Sequence, residues 1–343
     1  MPRASLEIGG EAPTDVVEGV LPRRRIGVLL RIAALPVIFA ILFFALDGAA
    51  TLAALGQADI GLVLIALTIV QLQFLLSALR WRFTAQRLGL PLPFRRALSE
   101  YYVAGFLNQT LPGGVAGDAA RAYRNRAADA NGRLGWRASL RSVVLERAAG
   151  QIAFFSVAIA GLAAWPFLVP TSAPDGVEAL VAAPIVVLFV LSAIIALVAA
   201  RAPRIIRSAF AELGPDLRRA FLDHGAWWRQ AGMSLAIVGG YVAVFAVCGA
   251  ALGSPIPAMG WFTVIPMVLL AMVLPVSIGG WGVREGAAVA LFPLVAVDAS
   301  TALAIAILYG IVNLVGALPG LALVVRRRTK PLVQRSLAGA PQP

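Results

Sequence analysis

Apolar residues run almost without interruption through six stretches, approximately 27–46, 60–79, 143–165, 178–200, 231–252 and 301–325, each bounded by charge, proline or glycine. A helix needs about 20 such residues to cross a hydrocarbon core about 30 Å thick, so each stretch predicts a full membrane span. Two further apolar regions are broken in the middle. In 97–123 a helical run ends at Leu111, meets Pro112, Gly113 and Gly114, and resumes toward Arg121. In 260–297 the run Trp261–Leu274 gives way to Pro275, Gly279, Gly280 and Gly282 before continuing from Val283 to Val297. Each half holds about 9 to 16 residues, or roughly 14 to 24 Å at 1.5 Å per residue, and does not cross alone.

Arginine placement sets the path, because cytoplasmic loops are enriched in Lys and Arg and exported loops are not. The connections at 47–59, 166–177, 253–259 and 298–300 contain neither residue and are assigned outside. Arg23–Arg25, Arg80–Arg96, Arg121–Arg141, Arg201–Arg229 and Arg326–Arg335 bound the segments assigned inside. The broken region 97–123 therefore enters and leaves on the cytoplasmic side, and 260–297 enters and leaves on the opposite side. The predicted fold is all-α: six full spans plus two re-entrant broken-helix hairpins, eight hydrophobic segments in an inverted repeat, with both termini cytoplasmic. Inverted repeats of this kind characterise many secondary transporters. The expected organisation is a disordered tail over 1–24, a first repeat over 25–168, a second over 178–328 and a cytoplasmic tail over 329–343. Between the spans of the second repeat, Ile206, Phe210, Leu213, Leu217 and Phe221 recur every three or four residues among arginines. They predict an interfacial amphipathic segment over 203–229, kinked at Gly214-Pro215 and lying on anionic headgroups.

Composition narrows the function. Sixty per cent of the 343 residues are apolar and only 13% charged, against the roughly 25% charged expected of a soluble domain. The formal charge of +12 is spread as flanks to apolar runs, which argues for topology rather than nucleic-acid binding. Of the 29 basic residues all but Lys330 are arginine, and with abundant alanine this composition resembles a GC-rich bacterial genome, hence an inner (cytoplasmic) membrane. A lone cysteine, Cys248, permits no internal disulfide, and one histidine, His224, removes chemistry that needs a histidine pair. No metal or other cofactor is expected.

Non-helical backbone at membrane depth is costly unless it is buried in protein or lines a polar cavity. The two Gly/Pro breaks, with Pro112, Gly113, Gly114 and Gly117 in the first and Pro275, Gly279, Gly280 and Gly282 in the second, therefore predict one interior site. Where each half-helix restarts, free N–H groups and the positive end of the helix dipole suit a phosphate or carboxylate. Asp118 and Arg121 follow the first break, and Arg284 and Glu285 the second. Arg284 is expected to bind an anionic headgroup, with Glu285 and Asp118 countering charge or contacting an amine; the alternative is internal pairing of Asp118 with Arg121 and of Arg284 with Glu285 or Glu146. Glu146 and Arg147 are neighbours in a span, so at least one points inward. Asn108, Gln109 and Asn313 are polar in apolar surroundings, suited either to the site or to hydrogen bonds between helices. Gly239, Gly240, Gly310 and Gly316 predict close helix packing.

The stretch Leu111–Arg121 (LPGGVAGDAAR), the pair Glu146-Arg147 and the stretch Pro275–Glu285 (PVSIGGWGVRE) resemble the flippase-like transmembrane domain of bacterial lysylphosphatidylglycerol synthases. The resemblance covers roughly 25–328, and its second motif is the more specific. It implies movement of lipids across the cytoplasmic membrane, among them aminoacylated phosphatidylglycerol, or polyprenyl-linked sugars or hopanoids in stand-alone relatives. The chain ends at Pro343 without a soluble aminoacyl-transfer domain, so it is not expected to aminoacylate lipid itself.

These readings converge on a lipid translocase that moves an anionic or zwitterionic lipid, or a polyprenyl-linked headgroup, between leaflets. Its partners would be membrane lipids and, where a headgroup is made elsewhere, a separate lipid-modifying enzyme. Two rivals are a membrane-embedded transferase using a lipid-phosphate donor, for which Asp47 and Asp59 are the available outside carboxylates, and a non-transporting scaffold.

Overall fold

A computed structural model of the chain describes residues 48–111, 116–125, 136–168, 213–272 and 278–328. The spans expected over 27–46 and 178–200, both tails, Ile206, Phe210, Pro112, Gly113, Gly114 and Pro275 lie outside the described residues.

The described residues form helices joined by turns: α1 (Gly48–Gly56), α2 (Ile60–Arg87), α3 (Phe94–Thr110), α4 (Ala116–Arg124), α5 (Trp136–Leu168), α6 (Ala226–Ala251), α7 (Ala258–Phe262), α8 (Val264–Ala271), α9 (Val283–Leu291) and α10 (Ala299–Arg328). Four helical stretches are long and apolar enough to cross a membrane: Ile60–Arg87, Ala138–Gly161, Leu213–Ala251 and Ala299–Val325. They coincide with the spans expected at 60–79, 143–165, 231–252 and 301–325. The 28 residues of α2 extend about 42 Å, well beyond a hydrocarbon core of about 30 Å. Within its most apolar stretch α10 is 67% buried, against 28% for α2, which makes α10 the central helix. It packs against α1, α2, α3, α6 and α9.

Helix α1 occupies a segment that, from its lack of Lys and Arg, is assigned to an outside connection; its alanines and leucines favour helix, and Thr51 is buried. Asp59 then caps α2 by accepting from the Leu62 N–H at 3.0 Å.

Both broken regions are interrupted helices. α3 ends at Thr110 and α4 starts at Ala116; α8 ends at Ala271 and α9 starts at Val283. Beyond α9 a 3-10 turn, Phe292–Val295, ends at Ala296 in left-handed geometry. At nine residues each, α4 and α9 are about 14 Å long and cannot span alone. Three glycines of the second break, Gly279, Gly280 and Gly282, have φ of 58°, 83° and 83°, values that side chains with a Cβ rarely adopt. The two breaks touch: a Cβ on Gly279 would lie 2.8 Å from the Gln109 carbonyl oxygen.

The chain departs from expectation before α6. Leu213 to Leu217 is helical through Gly214-Pro215, and the direction changes later, at the π-turn Arg218–Leu222 and the 3-10 turn Asp223–Gly225. His224 and Gly225 hold φ of 53° and 69°, so the helical path is kinked there rather than at Gly214-Pro215. Asp216 and Ala220 are buried while Leu217 is exposed, so the polar Asp216 is on the face turned to the protein and Leu217 is on the other. Gly240, Gly310 and Gly316 do sit against neighbouring side chains, whereas a Cβ on Gly239 would meet no atom of the described residues within 4 Å.

Asp298 caps α10, accepting from the Thr301 N–H at 2.9 Å and the Ser300 hydroxyl at 2.6 Å. These bonds hold its carboxyl down at about 2. A depressed folded pKa means the stabilisation is present above the ordinary carboxylate range and is lost as pH falls toward 2. Asp298→Ala is expected to cost about 1 kcal/mol at neutral pH, and the difference from wild type in thermal unfolding in detergent should shrink between about pH 4 and pH 2.

Candidate functional site

Three polar stripes run along apolar helices at helical spacing. On α2 they are Gln73, Ser77, Arg80 and Thr84; on α5, Ser139, Ser142 and Glu146; on α6, Gln230 and Ser234, and every one of these residues is buried. In a bundle surrounded by hydrocarbon such groups are satisfied only by one another, and the stripes interlock. Gln230 donates to the Thr84 hydroxyl at 2.9 Å, Trp81 Nε1 to Ser142 at 3.2 Å, and Arg80 Nη1 to Ser234 at 2.9 Å.

Glu146 is the hub. Its carboxylate accepts from Arg80 Nη2 at 2.6 Å, Arg121 Nη2 at 2.6 Å and the Tyr101 hydroxyl at 3.1 Å, and it is wholly buried. Arg121 is brought there by α4, with its guanidinium 4.8 Å and 4.6 Å from the ring centroids of Trp81 and Tyr101. It also pairs with Asp118 at 2.9 Å, and Asp118 pairs with Arg147 at 2.5 Å. Arg80 was expected to be a cytoplasmic flank. The structure adds that α2 continues to Arg87 and that Arg80 is buried in the protein, where it serves Glu146.

The second centre follows the second break. Arg284 and Glu285 are both wholly buried and form an ion pair. The Arg284 guanidinium lies 4.6 Å from the Trp281 ring centroid and 5.4 Å from that of Tyr309. Gly310 makes room for it, since a Cβ there would lie 2.2 Å from Arg284 Nη2.

A cavity of about 750 Å³ lies between the two centres. Asn108, Asp118, Arg147, Gly279, Gly280 and Arg284 line it, together with Arg80, Gln73, Gln109, Gln151, Tyr241, Tyr309 and Asn313. Arg121, Glu146, Glu285, Gly117 and Gly282 stand behind this layer and hold it in place. Among the described residues, Arg284 Nη1 and the carboxamide oxygens of Gln73, Gln109 and Gln151 have no hydrogen-bond partner.

The amides at the half-helix starts are less available than expected. Gly117 N donates to Asn108 Oδ1 at 2.7 Å, Gly282 N to Glu285 Oε2 at 2.5 Å, and Arg284 N to the Gly280 carbonyl at 3.0 Å. Asn108 of α3 and Glu285 of α9 thus each take up one amide at a half-helix start, which leaves fewer of them for a ligand. Asn108 thereby ties α3 to α4, while Asn313 donates to Tyr309 of its own helix at 2.8 Å instead of joining two helices.

Sequence reasoning missed Arg80, Tyr101, Gln73, Gln151, Tyr241 and Tyr309. The signal for two of them was present: Gln73, Ser77, Arg80 and Thr84 recur at spacings of four, three and four, one helix face inside an apolar run. The tyrosines carried no such sign, because an aromatic in an apolar span reads as packing.

No curated protein shows significant similarity to the chain. The family model described as lysylphosphatidylglycerol synthase TM region matches residues 28–320, most of the chain, and spans both breaks and both charged centres. The chain belongs to that family and is a multi-pass membrane protein related to lipid handling.

Proposed function

We propose that this protein is a translocase of the bacterial inner membrane, in which a lipid headgroup enters the central cavity while its tails stay in the bilayer. The observation that carries this reading is Arg284: wholly buried, bordering the cavity, with Nη1 unpartnered among the described residues. A guanidinium in that setting suits a phosphate. The first centre adds to it, since three arginines (Arg80, Arg121, Arg147) face two carboxylates (Asp118, Glu146), leaving one positive charge in excess. A volume of about 750 Å³ falls within the range of roughly 300 to 1,000 Å³ typical of small-molecule pockets.

In this reading the interrupted helices are re-entrant hairpins from opposite faces, both termini are cytoplasmic, and the cavity is exposed to each leaflet in turn by rocking of one repeat against the other. Transport rather than enzymatic transfer is favoured by Asp59, whose carboxylate is engaged in capping α2. Lipids are the partners, with a separate enzyme supplying any modified headgroup.

The test is movement of fluorescent phosphatidylglycerol between leaflets of proteoliposomes containing the purified protein. Arg284→Gln combined with Glu285→Gln removes both buried charges together, which spares the fold an unpaired one. This pair is expected to reduce transport to the protein-free rate, and Arg284→Lys, which keeps the charge but not the planar fork, to slow it roughly tenfold. Wild-type transport by the double variant would remove Arg284 from the mechanism; no transport by the wild type would favour a scaffold.

A further inference from the structure

A second recess lies among the described residues where α2 runs beside α6 near the start of α6. It has a volume of about 470 Å³ and is lined by Leu79, Arg82 and Phe83 from α2 and by Trp228, Arg229 and Met233 from α6. Leu79, Arg82 and Phe83 form one strip of α2 at helical spacing. Gly232 deepens the recess, since a Cβ there would meet no described atom within 4 Å.

The recess brings two arginines together with apolar side chains. Arg82 Nε is buried and has no hydrogen-bond partner among the described residues. Arg229 is exposed and stacks over the Trp228 ring at 5.2 Å. Neighbouring arginines are engaged: Arg87 donates to the Arg219 and Asp223 carbonyls, and Arg218 pairs with Asp223. Trp227, Trp228 and Leu222 are 62%, 56% and 66% exposed at this end, as is usual for aromatic and apolar side chains placed at a membrane interface.

We infer that this recess is a binding site for an anionic phospholipid, separate from the central cavity. The phosphate sits between Arg82 and Arg229, and the start of an acyl chain lies over Leu79, Phe83 and Met233 in the space Gly232 leaves open. Charge complementarity selects the ligand: two cations need an anion, and the apolar floor between them needs hydrocarbon. The site does not depend on transport, so it stands or falls independently of the proposed function.

The experiment is native mass spectrometry of the full-length protein in nonionic detergent with dioleoylphosphatidylglycerol or dioleoylphosphatidylcholine. Phosphatidylglycerol should be retained in preference to phosphatidylcholine. Arg82→Gln with Arg229→Gln should weaken that retention roughly 30-fold, equivalent to about 2 kcal/mol for two arginines. Gly232→Leu keeps every charge, suits a helix and fills the recess; it should lower retention to a similar degree. Arg218→Gln with Arg219→Gln removes the same charge outside the recess and should leave retention within about twofold, since more distant charges are screened. The Arg284→Gln, Glu285→Gln pair alters only the central cavity and should leave the recess-dependent part intact. Equal retention of phosphatidylcholine, unchanged binding in both recess variants, or an equal loss in the Arg218, Arg219 pair would overturn the site.

Discussion

Replacing Glu146 by glutamine is expected to destabilise the protein by about 3 to 5 kcal/mol, the cost of leaving buried cations without their counter-charge. Arg80 and Arg121 are 4% and 0% exposed, and both direct their Nη2 groups at this one carboxylate at 2.6 Å. Glutamine keeps the shape and one acceptor but offers a second nitrogen donor to a guanidinium that has only donors. Thermal or denaturant unfolding of the purified variant in detergent checks this. Arg121→Met on the Glu146→Gln background should recover part of the loss, because it lowers the positive excess of the cluster by one while Asp118 keeps Arg147, and an apolar side chain can replace it in the space between Trp81 and Tyr101. A loss under about 1 kcal/mol for the single variant would mean that water reaches the cluster and screens it.

Gly117→Ala should cost about 1 to 3 kcal/mol or more and disable the site. A Cβ there would lie 2.1 Å from the Ala104 carbonyl oxygen and 2.6 Å from its Cα. Both are backbone atoms, so no rotamer relieves the clash and α4 has to move away from α3. That movement would take Asp118 and Arg121 from Arg147 and Glu146, coupling a stability loss to loss of any activity that needs the cluster. Gly239→Ala is the matched control. It adds the same methyl inside a long helix where none of the described residues lies within 4 Å, so it should be neutral or stabilising by up to about 1 kcal/mol. The two variants should therefore differ in sign or at least in scale when unfolding is followed side by side. Equal behaviour would show that α3 and α4 are not in close backbone contact.

The breaks were legible because proline and repeated glycine within an apolar run oppose a continuous helix. Their meeting was not, since the approach of Gly279 to Gln109 joins residues far apart in the chain. Ion pairing at each break was one of two readings open from charge order alone, and the structure shows Arg121 with Asp118 and Arg284 with Glu285. That Arg121 and Arg80 share Glu146 depended on which faces of α2, α4 and α5 turn toward one another.

From its residues alone the chain declared itself an integral membrane protein with four of its spans in place, two interrupted helices and charged residues at the restarts. Those properties follow from apolar run length and from local backbone preference, which act within a few turns. Only the tertiary structure decided that Arg80 is an interior residue, that Asn108 and Glu285 occupy amides at the half-helix starts, and that Arg284 borders a cavity shared with the first break. Burial and pairing of a charge depend on what neighbouring helices bring within about 4 Å, and local pattern carries no information at that range.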